Sequence, residues 1–302
     1  MTPQKSIPPR AWAELLLLAS IWGGSFISNR LALNEVPVLT TVAFRVAGAC
    51  ILLWVYVRLR RLPVPRSFRI WLAFLAMGLL NNALPFTLIT WGQLTIPSGL
   101  AAIVNASTAI FGVLVAALAF RDERLTARRL TGVLLGFAGV AVAIGLHALT
   151  TLNLTSLPQL ALVAAAISYA LAAVFARRML GGLPPQVAAA GMLTGSSLLM
   201  LPTALWIDGP PVLTHGAQVW GALGYLAIIA TAGAYLLYYR VLGMAGAGNL
   251  SLVTLLTAPV AIVMGALILN EALPLRAYAG FALIALGLLI IDGRLLPRKD
   301  SA

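Results

Sequence analysis

The sequence predicts an all-α membrane protein with ten transmembrane helices in two inverted five-helix repeats. Three observations point there. The 302 residues are 61% hydrophobic and 9% charged, with a mean hydropathy of +0.98, which leaves too few polar groups to cover a soluble core of this size. The apolar residues gather in runs of about 20, the length of helix that crosses a hydrocarbon layer of roughly 30 Å. The second half of the sequence also matches the first at an offset of 148 residues. Helix is the form the runs must take, because a single apolar segment in lipid has to satisfy its own backbone groups.

The first span, residues 11 to 31, follows a tail with Pro3, Pro8 and Pro9 and continues through IWGGSFISNRLAL without a small-residue cleavage signature, so it is expected to be retained. The second, 38 to 57, holds Arg45 seven positions inside, a costly place for a charge. The third, 69 to 91, carries LLNNALPFTLITWGQ, which sets Asn81, Asn82 and Pro85 near mid-membrane. An unsatisfied amide there costs several kcal/mol, and Pro85 removes a backbone hydrogen bond and frees carbonyls. The fourth, 98 to 120, contains Asn105, Ser107 and Thr108.

The charged stretch RDERLTARRLTG separates it from the fifth, 127 to 146, for which Thr126 is a candidate N-cap. Gly132, Gly136 and Gly139 give this span a small-residue stripe that lets another helix approach. After a seam from His147 to Leu157, the sixth span, 158 to 178, places Tyr169 near its middle, and the seventh covers 185 to 207. The eighth, 217 to 239, ends in Tyr235, Tyr238 and Tyr239; the ninth, 249 to 270, holds Thr257 and Pro259; the tenth, 275 to 293, repeats the small stripe with Gly280 and Gly287. Trp12, Trp54, Trp71, Trp206 and Trp220 fall near helix ends, where tryptophan anchors at the interface.

Charge sets the orientation. With the N-terminus on the inner side, 17 of the 20 Lys and Arg fall inside, Arg30 and Arg276 fall outside, and Arg45 stays within a span. The positive-inside bias therefore places both termini in the cytoplasm of a plasma (inner) membrane and favours an even span count. The net charge of +12 is dispersed in short clusters between apolar runs, which argues against nucleic-acid binding. The single Cys50 excludes an internal disulfide framework. No metal-ligand spacing and no glycine-rich phosphate loop occurs, so neither a metal, a cofactor nor an enzymatic activity is expected.

At the 148-residue offset, Glu123 falls on Glu271, Leu125 on Leu273, Arg128 on Arg276, Gly132 on Gly280, Leu135 on Leu283, Gly139 on Gly287 and Gly145 on Gly293. Residues 11 to 146 and 158 to 293 are thus read as two copies, and five spans per copy, an odd number, turn the second upside down. Inverted repeats of this kind are typical of transporters whose midplane site opens to either side, although duplication also builds symmetric scaffolds.

IWGGSF in the first span, AFRVAGA with Arg45 in the second, and TIPSGLAAIVNASTAIFGVLVAALAFRDERLTARRLTGVLLGFAGV across the fourth and fifth carry a resemblance, with LSLVTLLTAPVAIVMGALILNEALPLRAYAGFALIALGLLI as their partner in the second half. The chain resembles the drug/metabolite transporter superfamily, in its ten-span type with two EamA domains, over about residues 11 to 293. The resemblance implies export of small organic solutes by alternating access, with amino acids the expected substrates. A drug or dye exporter, or a membrane scaffold or lipid-handling protein, is the alternative. It also implies a central cavity built from the first, third, fourth, sixth, eighth and ninth spans.

The cavity candidates on those spans are Trp22, Asn81, Asn82, Pro85, Trp91, Asn105, Thr108, Tyr169, Tyr235 and Thr257. For some of them there is a plainer reading: the Asn pair holds helices together, and the Trp and Tyr residues, Trp22 and Tyr169 among them, anchor at interfaces. Arg45 is expected to have a structural or gating role, by snorkelling outward or pairing with Glu35, ahead of substrate contact. A wall of aromatic faces, amides and hydroxyls without a full charge would suit a zwitterion with an apolar side chain. No titratable core carboxylate is evident, so facilitated export or exchange is expected rather than proton coupling. The RDERLTARRLTG loop reads chiefly as a basic anchor, with Glu123 and Glu271 sharing a structural task at the start of the fifth and tenth helices. Expected partners are the lipid bilayer and a small-molecule substrate; oligomeric state stays open.

Overall fold

The computed structural model describes residues 7–96, 98–123, 125–151, 156–250, 252–269 and 275–292. Among them there are helices and turns and no strand. The first half comprises α1 (Pro9–Ala32), α2 (Val38–Leu59), α3 (Phe68–Gly92), α4 in two pieces (Ser98–Ala106 and Thr108–Ala119) and α5 (Ala127–Ile144). A 3₁₀ segment, Leu146–Thr151, leads toward the second half. That half comprises α6 (Leu157–Met179), α7 (Pro185–Ile207), α8 (Ala217–Ala245), α9 in two pieces (Ala247–Leu250 and Val253–Leu269) and α10 (Leu275–Asp292). Six of these, α1, α2, α3, α6, α7 and α8, are uninterrupted helices long and apolar enough to cross a bilayer.

Local chemistry sets the helix ends. Pro9, Pro158 and Pro185 stand in the first turns of α1, α6 and α7, where proline's missing N–H costs nothing. Thr126 caps α5, its Oγ1 accepting from the Arg129 backbone N–H at 3.2 Å. Gly145 (φ 116°) and Gly246 (φ 86°) stop α5 and α8 in backbone conformations that side-chain-bearing residues avoid. Because nothing stops α8 before Gly246, it runs six residues past the expected end at 239. Arg240 is thereby drawn out of the loop and into the helix, from which it donates to the Glu14 carboxylate of α1.

The principal contacts between the halves come in repeat-related pairs. α2 packs on α7 and α5 on α10; α3 on α7 is matched by α8 on α2, α1 on α9 by α6 on α4, and α1 on α8 by α6 on α3. This is the pattern of a two-fold relation between inverted repeats. The glycine stripes mate the halves directly. A Cβ on Gly139 would lie 2.8 Å from the Gly280 carbonyl oxygen, and one on Gly132 would lie 2.6 Å from the Gly287 oxygen. The stripe read in sequence is therefore the α5–α10 seam inside the molecule.

Both α3 and α8 widen into π turns, at Leu79–Ala83 and Tyr225–Gly233. In α3 the cause is Pro85, which cannot donate to the residue four before it and whose ring would strike that carbonyl. The carbonyls of this turn are engaged: Ser168 Oγ of α6 donates to the Leu80 oxygen at 2.6 Å, and the Tyr235 hydroxyl of α8 lies 3.4 Å from the Asn81 oxygen, four residues before Pro85. The π turn of α8 contains no proline, and its Ala230 oxygen accepts from Trp22 Nε1 of α1 at 3.1 Å. In each half, then, the first helix of the opposite repeat binds a π-turn carbonyl.

Candidate functional site

Beside the π turn of α3 lies a central cavity of about 90 Å³, lined by side chains of seven helices. α1 contributes a stripe at i, i+3, i+4, i+7, one face of a helix, made of Trp22, Ser25, Phe26 and Asn29, and α9 contributes Leu250 from its first piece and Val253, Thr254 and Thr257 from its second. Asn105 and Thr108 flank the break in α4, where Ser107 Oγ turns back to the Val104 oxygen at 2.5 Å. Asn81, Phe86 and Ile89 come from α3, Tyr169 and Ala173 from α6, and Tyr235 and Tyr238 from α8. Arg45 reaches the wall from α2.

The wall is braced from behind. Tyr235 donates its hydroxyl hydrogen to Asn82 Oδ1, and Asn82 Nδ2 donates to Ser196 Oγ of α7 at 3.4 Å. Asn81 Nδ2 points to Met192 Sδ at 3.5 Å. Tyr238 stands edge-on between Tyr235 and Tyr239, at 5.8 and 5.2 Å between ring centres, an arrangement aromatic pairs favour. Three polar atoms are left over. Among the described residues, buried Asn29 Oδ1, Thr108 Oγ1 and Tyr238 OH have no hydrogen-bond partner, and all three belong to side chains of the cavity wall. Buried polar groups are nearly always paired, which sets these three apart from the rest of the wall.

Seven of the residues expected at the site stand on this wall: Trp22, Asn81, Asn105, Thr108, Tyr169, Tyr235 and Thr257. Three do not. Asn82, fully buried, lies behind Tyr235, and Pro85 is buried off the lining. Trp91 is 40% exposed near the end of α3. Successive helical residues turn by about 100°, so Trp91, two positions past Ile89, faces away from the cavity onto the outer surface of the helix. Sequence reading missed the stripe partners of Trp22 and the α9 neighbours of Thr257 on the wall. The signal was present in α1, where Asn29 falls seven residues after Trp22 on the same face.

Arg45 calls for a correction. It neither snorkels outward nor pairs with Glu35, whose Oε2 is 3.0 Å from His215 Nδ1. Its side chain turns inward, 5% exposed, with Nε donating to Thr231 Oγ1 at 2.8 Å, Nη2 3.5 Å from the Ala230 oxygen, and the guanidinium 3.7 Å above the Phe86 ring. The π turn of α8 supplies both oxygen acceptors. The cavity therefore holds a full positive charge, contrary to the uncharged wall expected.

A second, smaller cleft lies at the basic-loop end, lined by Asp122, Glu123, Arg129, Arg177, Ala245, Gly246 and Asn249. Glu123 is its hub, 2.6 Å from Arg177 Nη1 and 3.6 Å from Arg129 Nη2. Arg177 also reaches Asp122 at 2.5 Å and lies 4.2 Å above the Phe120 ring. Arg129, counted from sequence as a surface anchor, is 1% exposed and donates to Asn249 Oδ1 at 3.2 Å. The cluster clasps the α4–α5 loop, the start of α5, the end of α6 and the start of α9. Its proposed twin, Glu271, lies outside the described residues.

The Asn82–Tyr235 bond gives a direct expectation. In a double-mutant cycle of Asn82→Leu, Tyr235→Phe and both, the two losses of transport are expected to be non-additive, with a coupling of about 1 kcal/mol. Additive losses would separate the pair.

The family model described as EamA-like transporter family matches residues 11–145 and again 157–292. An uncharacterized transporter of Bacillus subtilis (strain 168), YvbV, is 27% identical over 302 residues, covering 99% of this chain and 97% of that protein. A protein of Escherichia coli (strain K12) named probable amino-acid metabolite efflux pump is 25% identical over 284 residues, covering 91% of this chain and 92% of that one. A solved crystal structure at 18% identity overlays with a TM-score of 0.76, covering 93% of this chain and 97% of its own, and shares the fold. Matched by the model over nearly its whole length, the chain belongs to the EamA-like transporter family, and it is a multi-pass membrane transporter rather than an enzyme.

Proposed function

We propose that the protein exports small organic solutes, chiefly amino acids with apolar or aromatic side chains, through the central cavity by alternating access. It does so from an inner (plasma) membrane with both termini cytoplasmic, the orientation supported by the basic loops. The observation that carries the reading is the set of polar atoms Asn29 Oδ1, Thr108 Oγ1 and Tyr238 OH, unpartnered among the described residues, on a wall that also presents the apolar faces of Phe26, Phe86, Ile89, Leu250 and Val253. A solute with one small polar head and an apolar tail completes both parts. The E. coli relative's name, an amino-acid metabolite efflux pump, supports the same class.

The described wall carries no carboxylate or histidine, so a proton relay of the usual kind has no carrier there and the solute gradient supplies the drive. The test is efflux from proteoliposomes loaded with a panel of amino acids. Leucine and phenylalanine are expected to leave well above protein-free leakage, and a proton gradient alone is expected to drive no accumulation. An inactive panel with active dye efflux would replace amino acids by drugs, and no flux of either would favour a scaffold.

A further inference from the structure

We propose that Arg45 is the carboxylate reader of the cavity, so that a free carboxylate, rather than the α-amino group or the apolar side chain, admits a solute. The inference rests on the export reading for its setting but is carried by a separate observation, the charge balance of the protein interior. Glu14 is engaged by Arg10 and Arg240, Glu35 by His215, and Asp122 and Glu123 by Arg177 and Arg129. Asp208 accepts from the Thr40 backbone N–H and hydroxyl at 2.8 and 2.9 Å. Among the described residues, no ion pair includes Arg45.

The neutral groups around Arg45 satisfy it in part. Thr231 and the Ala230 carbonyl take Nε and Nη2, and Phe86 covers one face of the guanidinium. Those contacts fix the plane of the fork without neutralising it, and a guanidinium offers five donors suited to a two-oxygen acceptor. A buried charge at membrane depth is retained where it meets a counter-charge. The cavity is where one can arrive, since Arg45 lies on its wall together with the unpartnered Asn29, Thr108 and Tyr238 groups that can take the rest of a polar head. The site is single although the frame is double: at the repeat offset of 148 the counterpart of Arg45 is Leu193. One anion per transporter follows.

Three ligands with one common ring separate the head groups: L-phenylalanine, its carboxamide L-phenylalaninamide, and 3-phenylpropanoate, which keeps the carboxylate and lacks the amine. Binding to the purified full-length protein is read by thermal shift and tryptophan fluorescence. The wild type is expected to bind the two carboxylates at least about tenfold more tightly than the amide. Arg45→Gln is expected to bring all three to similar affinity, and Arg45→Lys, which keeps charge but loses the fork, to keep part of the preference. A residue that only shapes the cavity would weaken all three alike, so an unchanged ratio in Arg45→Gln overturns the assignment. If Arg45→Gln fails to fold, the wild-type ratio and its reduction in Arg45→Lys decide, and equal affinities in the wild type overturn the assignment. Wild-type protein that prefers the carboxylates yet exports no amino acid would remove the export reading while leaving Arg45 as the reader.

Discussion

Glu123→Ala is expected to lower the stability of the purified transporter by about 3 kcal/mol, the scale for breaking a buried ion pair, seen as a fall of several degrees in the thermal unfolding midpoint. The carboxylate is 6% exposed and stands between Arg177 and Arg129, and Arg129 is more deeply buried still. Removing it takes away the carboxylate the two guanidinium groups share, while Arg129 keeps its bond to Asn249 and Arg177 its bond to Asp122. Glu123→Gln, which keeps an acceptor, is expected to lose less than Ala. The clasp holds the α4–α5 loop against the ends of α6 and α9, and α4, α6 and α9 all line the cavity. Loosening it is therefore expected to speed labelling of the cavity from that end as well. A midpoint within a degree of wild type would mean that the cluster is a solvated surface group after all.

Gly139→Leu is expected to have the second large effect, a loss of at least about 2 kcal/mol with failure to elute as a single species, because overpacking here meets backbone. A Cβ at Gly139 already lies 2.8 Å from the Gly280 oxygen and from the Ile284 nitrogen, so α5 and α10 must separate to admit it. No rotamer change relieves such a clash. Gly221→Ala is the matched control, since a Cβ there meets nothing within 4 Å, and it is expected to leave elution unchanged. Wild-type behaviour of Gly139→Leu would mean that the α5–α10 seam is looser than its geometry.

Much of this architecture is legible in the amino-acid sequence, because apolar run length and the placement of arginine between runs are local properties. Thr126 and the first-turn prolines mark helix starts for the same reason. The sequence is less informative wherever the answer depends on what stands opposite. The glycine stripe of α5 was readable, but not that its mate is α10. Asn81 and Asn82 stood out as a pair, yet only the packing of α7 and α8 sends one to the wall and the other behind Tyr235. Arg45 was legible as costly, and its destination was not: the groups that turn it inward, Thr231 and the Ala230 carbonyl, sit 186 and 185 residues away in a π turn without a sequence signature. Trp91 shows the opposite fault, an aromatic residue on a cavity-forming helix that faces the other way.

The proposed route of the solute is the central cavity beside the α3 π turn. Thr257→Cys in a Cys50→Ser background places a single thiol on that wall, and phenylalanine efflux from proteoliposomes can be followed as the thiol is titrated with a small methanethiosulfonate reagent. Efflux is predicted to fall in proportion to modification, and saturating phenylalanine to slow the modification. Full modification with undiminished efflux would contradict the claim.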